Sequence, residues 1–177
     1  NVTKELSDYF SEYALIKYRL QVEGAYFLFL SEKKFFKLTT KDIQAINNLL
    51  DNFTIEDAQQ IKDTEKTTNH DVKAVEYFLK KKLNEAGLAH LQEWVHFGLT
   101  SQDINNTAVP MLWKDAIETQ YLPSLLNLQQ HLFKLAQQWM NVPMLARTHG
   151  QPASPTRLGK ELLVFVERLE NQIQLFS

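Results

Sequence analysis

The sequence predicts an all-α fold, and three observations carry that prediction. Glycine and proline are scarce, five of each in 177 residues, which favours long regular elements over a loop-rich chain. Good helix formers, Leu, Gln, Lys, Glu and Ala, are abundant. Apolar residues recur three and four positions apart along most of the chain, the spacing of one face of a helix. At 44% apolar and 23% charged residues, the chain has the means to bury a core, and disorder is not expected.

The first helix is predicted from Ser11 or Glu12 to about Leu30. Ser11 can cap it, and Tyr13, Ile16, Leu20 and Phe27 give it a broad apolar side. Phe35 and Phe36 form a turn cluster. Thr39 with Asp42 three residues on reads as a capping box opening a short helix that carries Ile43, Ile46, Leu49 and Leu50. Thr54 and Asp57 repeat the signal for a helix through Ile61. The apolar pattern stops between Lys66 and Asp71, then resumes at Val72, Val75, Phe78, Leu79 and Leu83, with Gly87 as terminator. Asn69 or Asp71 can cap this helix. His70 then stands in the loop or first turn, beside unpaired N–H groups and the positive end of the dipole, which is ground for holding an anion. A short helix with Leu91, Trp94, Val95 and Phe97 follows and is interrupted by Gly98.

Leu99 to Asp103 combines turn and cap residues before a long helical stretch from Ile104 to Trp139. Pro110 and Pro123 fall inside it. Each removes a donor and crowds the preceding turn, so one bent helix is the first expectation and two stacked helices the second. Pro143 to Pro155 holds three prolines and Gly150, and cannot be one regular helix; a short extended piece around Met144 to Arg147 is expected. Leu158, Leu162, Phe165, Leu169, Ile173 and Phe176 then make the seam of a packed bundle. That seam runs to Ser177 without a stop signal, so the helix is expected to continue, with partner helices from beyond the terminus or from another subunit. A boundary near Gly98 to Asp103 divides a short-helix N-terminal domain, residues 1–97, from the opening of a helical bundle, residues 98–177.

Composition excludes several functions. Nineteen Lys plus Arg against twenty-one Asp plus Glu leave a formal charge of -2, no electrostatic footprint for nucleic acid or an anionic membrane. Lys80, Lys81 and Lys82 read as a solvated helix face. There is no cysteine, hence no disulfide, thiol nucleophile or thiolate metal site; a reducing cytoplasmic setting is compatible. No apolar run approaches the length of a membrane span, since Ala25 to Leu30 ends in Ser31-Glu32-Lys33-Lys34, and no signal peptide is visible. His90 and His96 are not spaced as a helical ligand pair, and His131 lies among Gln129, Gln130 and Lys134. Neither a zinc-protease motif, an acidic calcium loop, a glycine-rich phosphate loop nor a dinucleotide fingerprint is present, so no metal and no cofactor are expected.

Three polar islands interrupt the apolar pattern where helices begin or end: Thr67 to Asp71, Thr100 to Asp103, and Arg147 to Gln151. They hold imidazoles, a guanidinium, hydroxyls and amides, an inventory suited to a substrate with carboxylates or phosphates and to an acid step near neutral pH. Taken one at a time, each reads equally well as a cap, a salt bridge or a surface turn.

Read together, the islands resemble a known family. Lys66 to Tyr77, containing Asn69-His70-Asp71-Val72, is similar to the corresponding stretch of bacterial adenylosuccinate lyases. His96 to Asn106, with Thr100-Ser101-Gln102-Asp103-Ile104-Asn105, and Arg147-Thr148-His149-Gly150-Gln151-Pro152-Ala153 resemble two further family segments, in the same order and at matching separations. Phe10-Ser11-Glu12 fits the usual start of the family's first helix. Thr148 to Gln151 alone indicates only the wider fumarase/aspartase superfamily; the Asn69 to Val72 island narrows the resemblance.

The resemblance implies a helical homotetramer with active sites composed from several subunits, and β-elimination of fumarate from adenylosuccinate and from the succinyl-carboxamide ribotide of purine biosynthesis. It implies His149 as the general acid that protonates the departing nitrogen. Thr100 and Ser101 would donate to the succinyl carboxylates, Asn69, His70 and Asp71 would line the substrate pocket, and Gln151 would orient substrate. Two family features have no counterpart here: the Gly- and Ser-rich loop that carries the serine base, and the Asp-Gly-Arg-Tyr segment before the first helix. The 177 residues alone are therefore expected to be inactive. The alternatives are another superfamily lyase, acting on argininosuccinate or aspartate, and a non-catalytic helical interaction module.

Overall fold

The computed structural model describes residues 3–176, in two compact units, Asn1–Ala116 and Ile117–Ser177. The first unit opens with a 3-10 turn, Lys4–Leu6, and α1 (Ser7–Phe10), then α2 (Glu12–Glu32), α3 (Thr40–Asp51), α4 (Ile55–Thr68) and α5 (Asp71–Glu85). A 3-10 segment, Ala89–Trp94, leads to α6 (Ser101–Ala116). The second unit holds a π-helical turn, Ile117–Tyr121, α7 (Leu122–Gln138), β1 (Pro143–Thr148), β2 (Gln151–Arg157), α8 (Leu158–Ile173) and a 3-10 turn, Gln174–Phe176. The fold is helical, as expected, apart from one hairpin.

Local signals set the helix starts. The Ser11 hydroxyl accepts from the Ala14 amide at 3.1 Å, and complete capping boxes, Thr39 with Asp42 and Thr54 with Asp57, open α3 and α4. The α4 helix continues past Ile61 to Thr68. Its last turns are polar and carry no apolar period; Lys62–Glu65 and Lys66–Asp63 ion pairs line them instead.

The α2 helix is buried on two opposite sides rather than along one stripe, with Ala25 and Phe29 exposed towards its C-terminal end. Ile16, Leu20 and Phe27 enter a core with Ile46 and Leu50 of α3, Ile61 of α4, and Val75 and Leu79 of α5. Its opposite side receives α6: Tyr18 packs on Ala108 and Leu112, and the Tyr18 hydroxyl donates to Asp115 at 2.5 Å. Because α6 is seated on α2, the compact units part at Ala116, later in the chain than the boundary expected near Gly98 to Asp103.

In the second unit, Pro123 sits in the first turn of α7, directly after the π turn. The wider π geometry falls where the proline ring would crowd the carbonyl four residues back. The α7 and α8 helices form an antiparallel pair through half-buried Leu125, Leu132, Leu135, Leu162, Val166 and Leu169, and Gln129 donates to Glu170 across it. Phe165, placed on the apolar seam from the sequence, is 54% exposed.

The pair closes at its hairpin end through backbone contact. The Gly159 amide donates to the Trp139 carbonyl at 3.1 Å. A Cβ at Gly159 would lie 2.2 Å from the Ala136 carbonyl oxygen and 2.7 Å from Met140 Cα. Both are main-chain atoms, so the helix end would have to move. In the full-length protein, Gly159→Ala is expected to lower stability by about 1–3 kcal/mol, the range for overpacking, measured by urea denaturation. An unchanged midpoint would mean that the two helix ends are not held at this distance.

Candidate functional site

The three islands lie at element junctions. Asn69 ends α4 in the left-handed conformation, φ 51°, which lets α5 begin two residues later in a new direction. His70 is the N-cap of α5: its Nδ1 accepts from the Lys73 amide at 3.2 Å. A ring nitrogen that accepts an amide proton has none of its own, so neutral His70 carries its proton on Nε2. That nitrogen lies 3.3 Å from the Ser101 hydroxyl. With Nε2–H donating to the serine oxygen, the Ser101 hydroxyl proton remains available to a further acceptor.

Thr100 precedes α6 and is held by Asp103, whose Oδ2 accepts from the Thr100 amide at 2.7 Å and from its hydroxyl at 3.0 Å. These two bonds hold the Asp103 carboxyl below the ordinary carboxylate range. Ser101 is thus the first residue of a capped helix, and the N-termini of α5 and α6 come together at the His70–Ser101 contact.

Asp71 follows His70 as the first residue of α5. Its Oδ2 pairs with the Arg19 guanidinium at 2.6 Å, and its Oδ1 accepts from the Val72 amide at 2.8 Å. Burial pushes the Asp71 carboxyl up, but the Val72 amide, the Arg19 charge and hydrogen bond, and His70 together bring it below its ordinary value. Arg19 also donates from Nε to the Asn105 side-chain oxygen at 2.9 Å. One turn further along α2, Glu23 is fully buried and its Oε1 lies 2.5 Å from His96 Nδ1. Burial raises the Glu23 carboxyl, opposed by His96; Oε2 is buried without a hydrogen-bond partner among the described residues.

Arg19, Glu23 and Asn105 were not singled out from the sequence, and His96 was weighed only as a metal ligand. The signal was present for Glu23, which stands in the apolar spacing Ile16, Leu20, Glu23, Phe27, where a carboxylate has to be buried. Among the described residues no group of three or more His, Cys, Asp or Glu is gathered as a metal site, and no helix is long and apolar enough to cross a membrane.

In the second unit the third island is a hairpin. Thr148 pairs with Gln151, and the two residues between them, His149 and Gly150, have φ of 51° and 75°. Two consecutive left-handed residues make a type I′ turn, the geometry that fits the twist of antiparallel strands. The expected extended piece at Met144 to Arg147 is present, with a partner strand, Gln151–Arg157, that the proline count had hidden. Pro152 and Pro155 are tolerated because a two-stranded sheet has only edge strands. His149 is exposed at the turn, and Gln151 begins β2 beside it.

A family model described as Lyase matches residues 2–177. The chain belongs to this lyase family. It is 54% identical over 176 residues to the adenylosuccinate lyase of Dictyostelium discoideum, an alignment covering 95% of the chain and 38% of that protein. It is 42% identical over 168 residues to the adenylosuccinate lyase of Escherichia coli K12, covering 92% and 37%. The chain therefore spans under two fifths of the length of these relatives. Among solved structures, it resembles a fumarate lyase from Mesorhizobium sp. at TM-score 0.79 and 19% identity, covering 98% of the chain and 40% of that one. It also resembles a β-carboxy-cis,cis-muconate cycloisomerase from Acinetobacter calcoaceticus at TM-score 0.78 and 20% identity, covering 97% and 39%. These likenesses show that the chain shares the fold of those structures.

The depressed Asp71 carboxyl ties this lyase-family site to pH. A carboxyl lowered in the folded state adds stability that is present above its unfolded value, 3.8, and lost as pH falls through the folded value. Asp71→Asn is thus expected to lower the denaturation midpoint of the full-length protein at pH 7, with the gap to wild type closing as pH drops below the carboxylate range. A gap that stays constant across that range would show that ionised Asp71 contributes nothing through Arg19.

Proposed function

We propose that this chain forms part of an adenylosuccinate lyase and supplies its general acid and part of its substrate cradle. The relatives carrying that name align over more than nine tenths of the chain, and the three islands fall within the aligned length. The observation that carries the assignment of the acid is local. A histidine occupies a left-handed turn position that glycine or asparagine would fill at less cost, and a residue kept against backbone preference marks function.

The substrates are adenylosuccinate and the related succinyl-carboxamide ribotide of purine biosynthesis. A base contributed from outside these residues removes the proton next to a carboxylate, leaving an aci-carboxylate carbanion. Ser101 donates to the succinyl carboxylates, joined by Thr100 when its hydroxyl turns from Asp103 to the substrate, and the two helix N-termini add positive potential where that charge develops. The carbon–nitrogen bond then breaks with its electron pair passing to nitrogen, and His149 delivers a proton there, releasing fumarate and AMP or the aminoimidazole carboxamide ribotide. Asn69 and His70 line the pocket, Asp71 holds its floor, and Gln151 orients the substrate.

A homotetramer with active sites drawn from several subunits fits the exposed apolar side chains of α7 and α8. Leu126, Leu128, Phe133, Leu163, Val164 and Phe165 are between 38% and 54% exposed, a density typical of an interface. A cytoplasmic setting suits this purine chemistry, with neither nucleic acid nor membrane as a partner.

In the full-length protein, adenylosuccinate is expected to yield fumarate, followed by the absorbance change. His149→Ala should reduce turnover by about 10²–10⁴-fold; a loss under tenfold rejects the acid role. His149→Gly should lose as much activity while its denaturation midpoint stays level or rises, because glycine suits the turn. Turnover of argininosuccinate or aspartate in place of adenylosuccinate would reject the substrate assignment.

A further inference from the structure

Arg19 is the only charged residue of α2 that reaches both helix starts at the candidate site, as far as the described residues show. Its side chain is 9% exposed, and it spends two different nitrogens on two different elements. Nη2 holds Asp71, the first residue of α5 and the neighbour of His70, at 2.6 Å. Nε holds Asn105, one helical turn beyond Ser101 on α6, at 2.9 Å. Guanidinium geometry fixes the angle between those two nitrogens, so the two partners are held at a set separation. His70 and Ser101 are carried on the same two elements, and they meet at 3.3 Å.

We propose that Arg19 is a positioning residue for the lyase reaction: by bridging Asp71 and Asn105 it sets the His70–Ser101 contact, and so the orientation of the carboxylate donors. The inference rests on the activity proposed above for its kinetic test, but its geometric part does not. Lysine keeps the charge and offers one point of attachment in place of the rigid fork, so it can satisfy Asp71 or Asn105 but cannot fix their separation.

The test uses the full-length protein and a cycle of substitutions. Arg19→Lys is expected to lower kcat/KM for adenylosuccinate about tenfold in the wild-type background, and by less than about twofold in a Ser101→Ala background, because the hydroxyl it aligns is already gone. Losses that multiply in the double variant would show that Arg19 acts on folding at large, and would overturn the proposal. Asn105→Ala, which leaves the ion pair intact, should reproduce most of the kinetic loss with less effect on the denaturation midpoint; wild-type kinetics in this variant would equally overturn it. If the wild-type protein released no fumarate, the activity reading would fail alone. A crystal structure of Arg19→Lys would then decide: a His70 Nε2 to Ser101 Oγ distance beyond 4 Å supports the bridge, and an unchanged contact refutes it.

Discussion

A buried guanidinium on a helix packed on two opposite sides has to be paired, because an isolated charge taken out of water costs several kcal/mol even after relaxation. Arg19 meets that demand by drawing in the Asp71 carboxylate and the Asn105 amide from elsewhere in the chain. The demand is what organises this part of the first unit. The apolar residues of α2 are satisfied by many alternative packings of α3 to α6, whereas its buried cation is satisfied by few. Glu23, one turn on, is a fully buried carboxyl that burial pushes up, and it too requires a partner, which is His96, a residue held at positive φ. Hydrophobic burial supplies the drive to collapse, and the pairings of Arg19 and Glu23 tie α5 and the approach to α6 to α2.

The consequence is that catalytic-type groups are mounted on well-anchored backbone. His70 gives one ring nitrogen to cap α5 and presents the other to Ser101. Thr100 is fixed by Asp103, and Asp71 is occupied on both oxygens by Arg19 and Val72. Of the polar residues in the first two islands, several therefore carry the geometry while a smaller number remain free to meet a ligand. Asp71 belongs with the former: a carboxylate already bonded to a buried guanidinium is a poor partner for an anionic ligand and serves to anchor the start of α5.

Much of this was legible in the sequence, for reasons that differ by element. The starts of α2, α3 and α4 were readable because Ser11, Thr39 and Thr54 act within four residues. By contrast, α5 is capped by His70 and not by Asn69 or Asp71, since Asn69 closes α4 and an imidazole nitrogen takes the capping bond. The end of α4 was not readable, since a polar helix tail held by Lys62–Glu65 and Lys66–Asp63 leaves no apolar period. The hairpin was obscured by prolines at 143, 152 and 155, which argue against strand in any wider sheet; the pair His149-Gly150 was the countersignal, a two-residue turn ending in glycine. The Arg19 bridge lay beyond local reading because its partners are separated from it by 52 and 86 positions (71 − 19 and 105 − 19), and no period or motif links them.

The turn at His149 shows how stability and chemistry are weighed against each other in this fold. A non-glycine residue in the left-handed region costs about 1–2 kcal/mol relative to a relaxed backbone, and three such residues, Asn69, His96 and His149, fall in or beside the polar islands. Asn69 is well suited to the conformation, since its short amide tolerates it. The two histidines are less so, and they differ in what offsets the cost. His96 is compensated by its short hydrogen bond to a buried carboxylate. His149 is held, among the described residues, by the strand pairing of its own hairpin, Thr148 to Gln151 and onward. That pairing keeps an exposed imidazole at a fixed position on a rigid two-residue turn, where a flexible loop would let it wander. For the proton donor proposed at this turn, a fixed position of that kind would lower the cost of reaching the transition state, which gives the small sheet a reason within an otherwise helical fold.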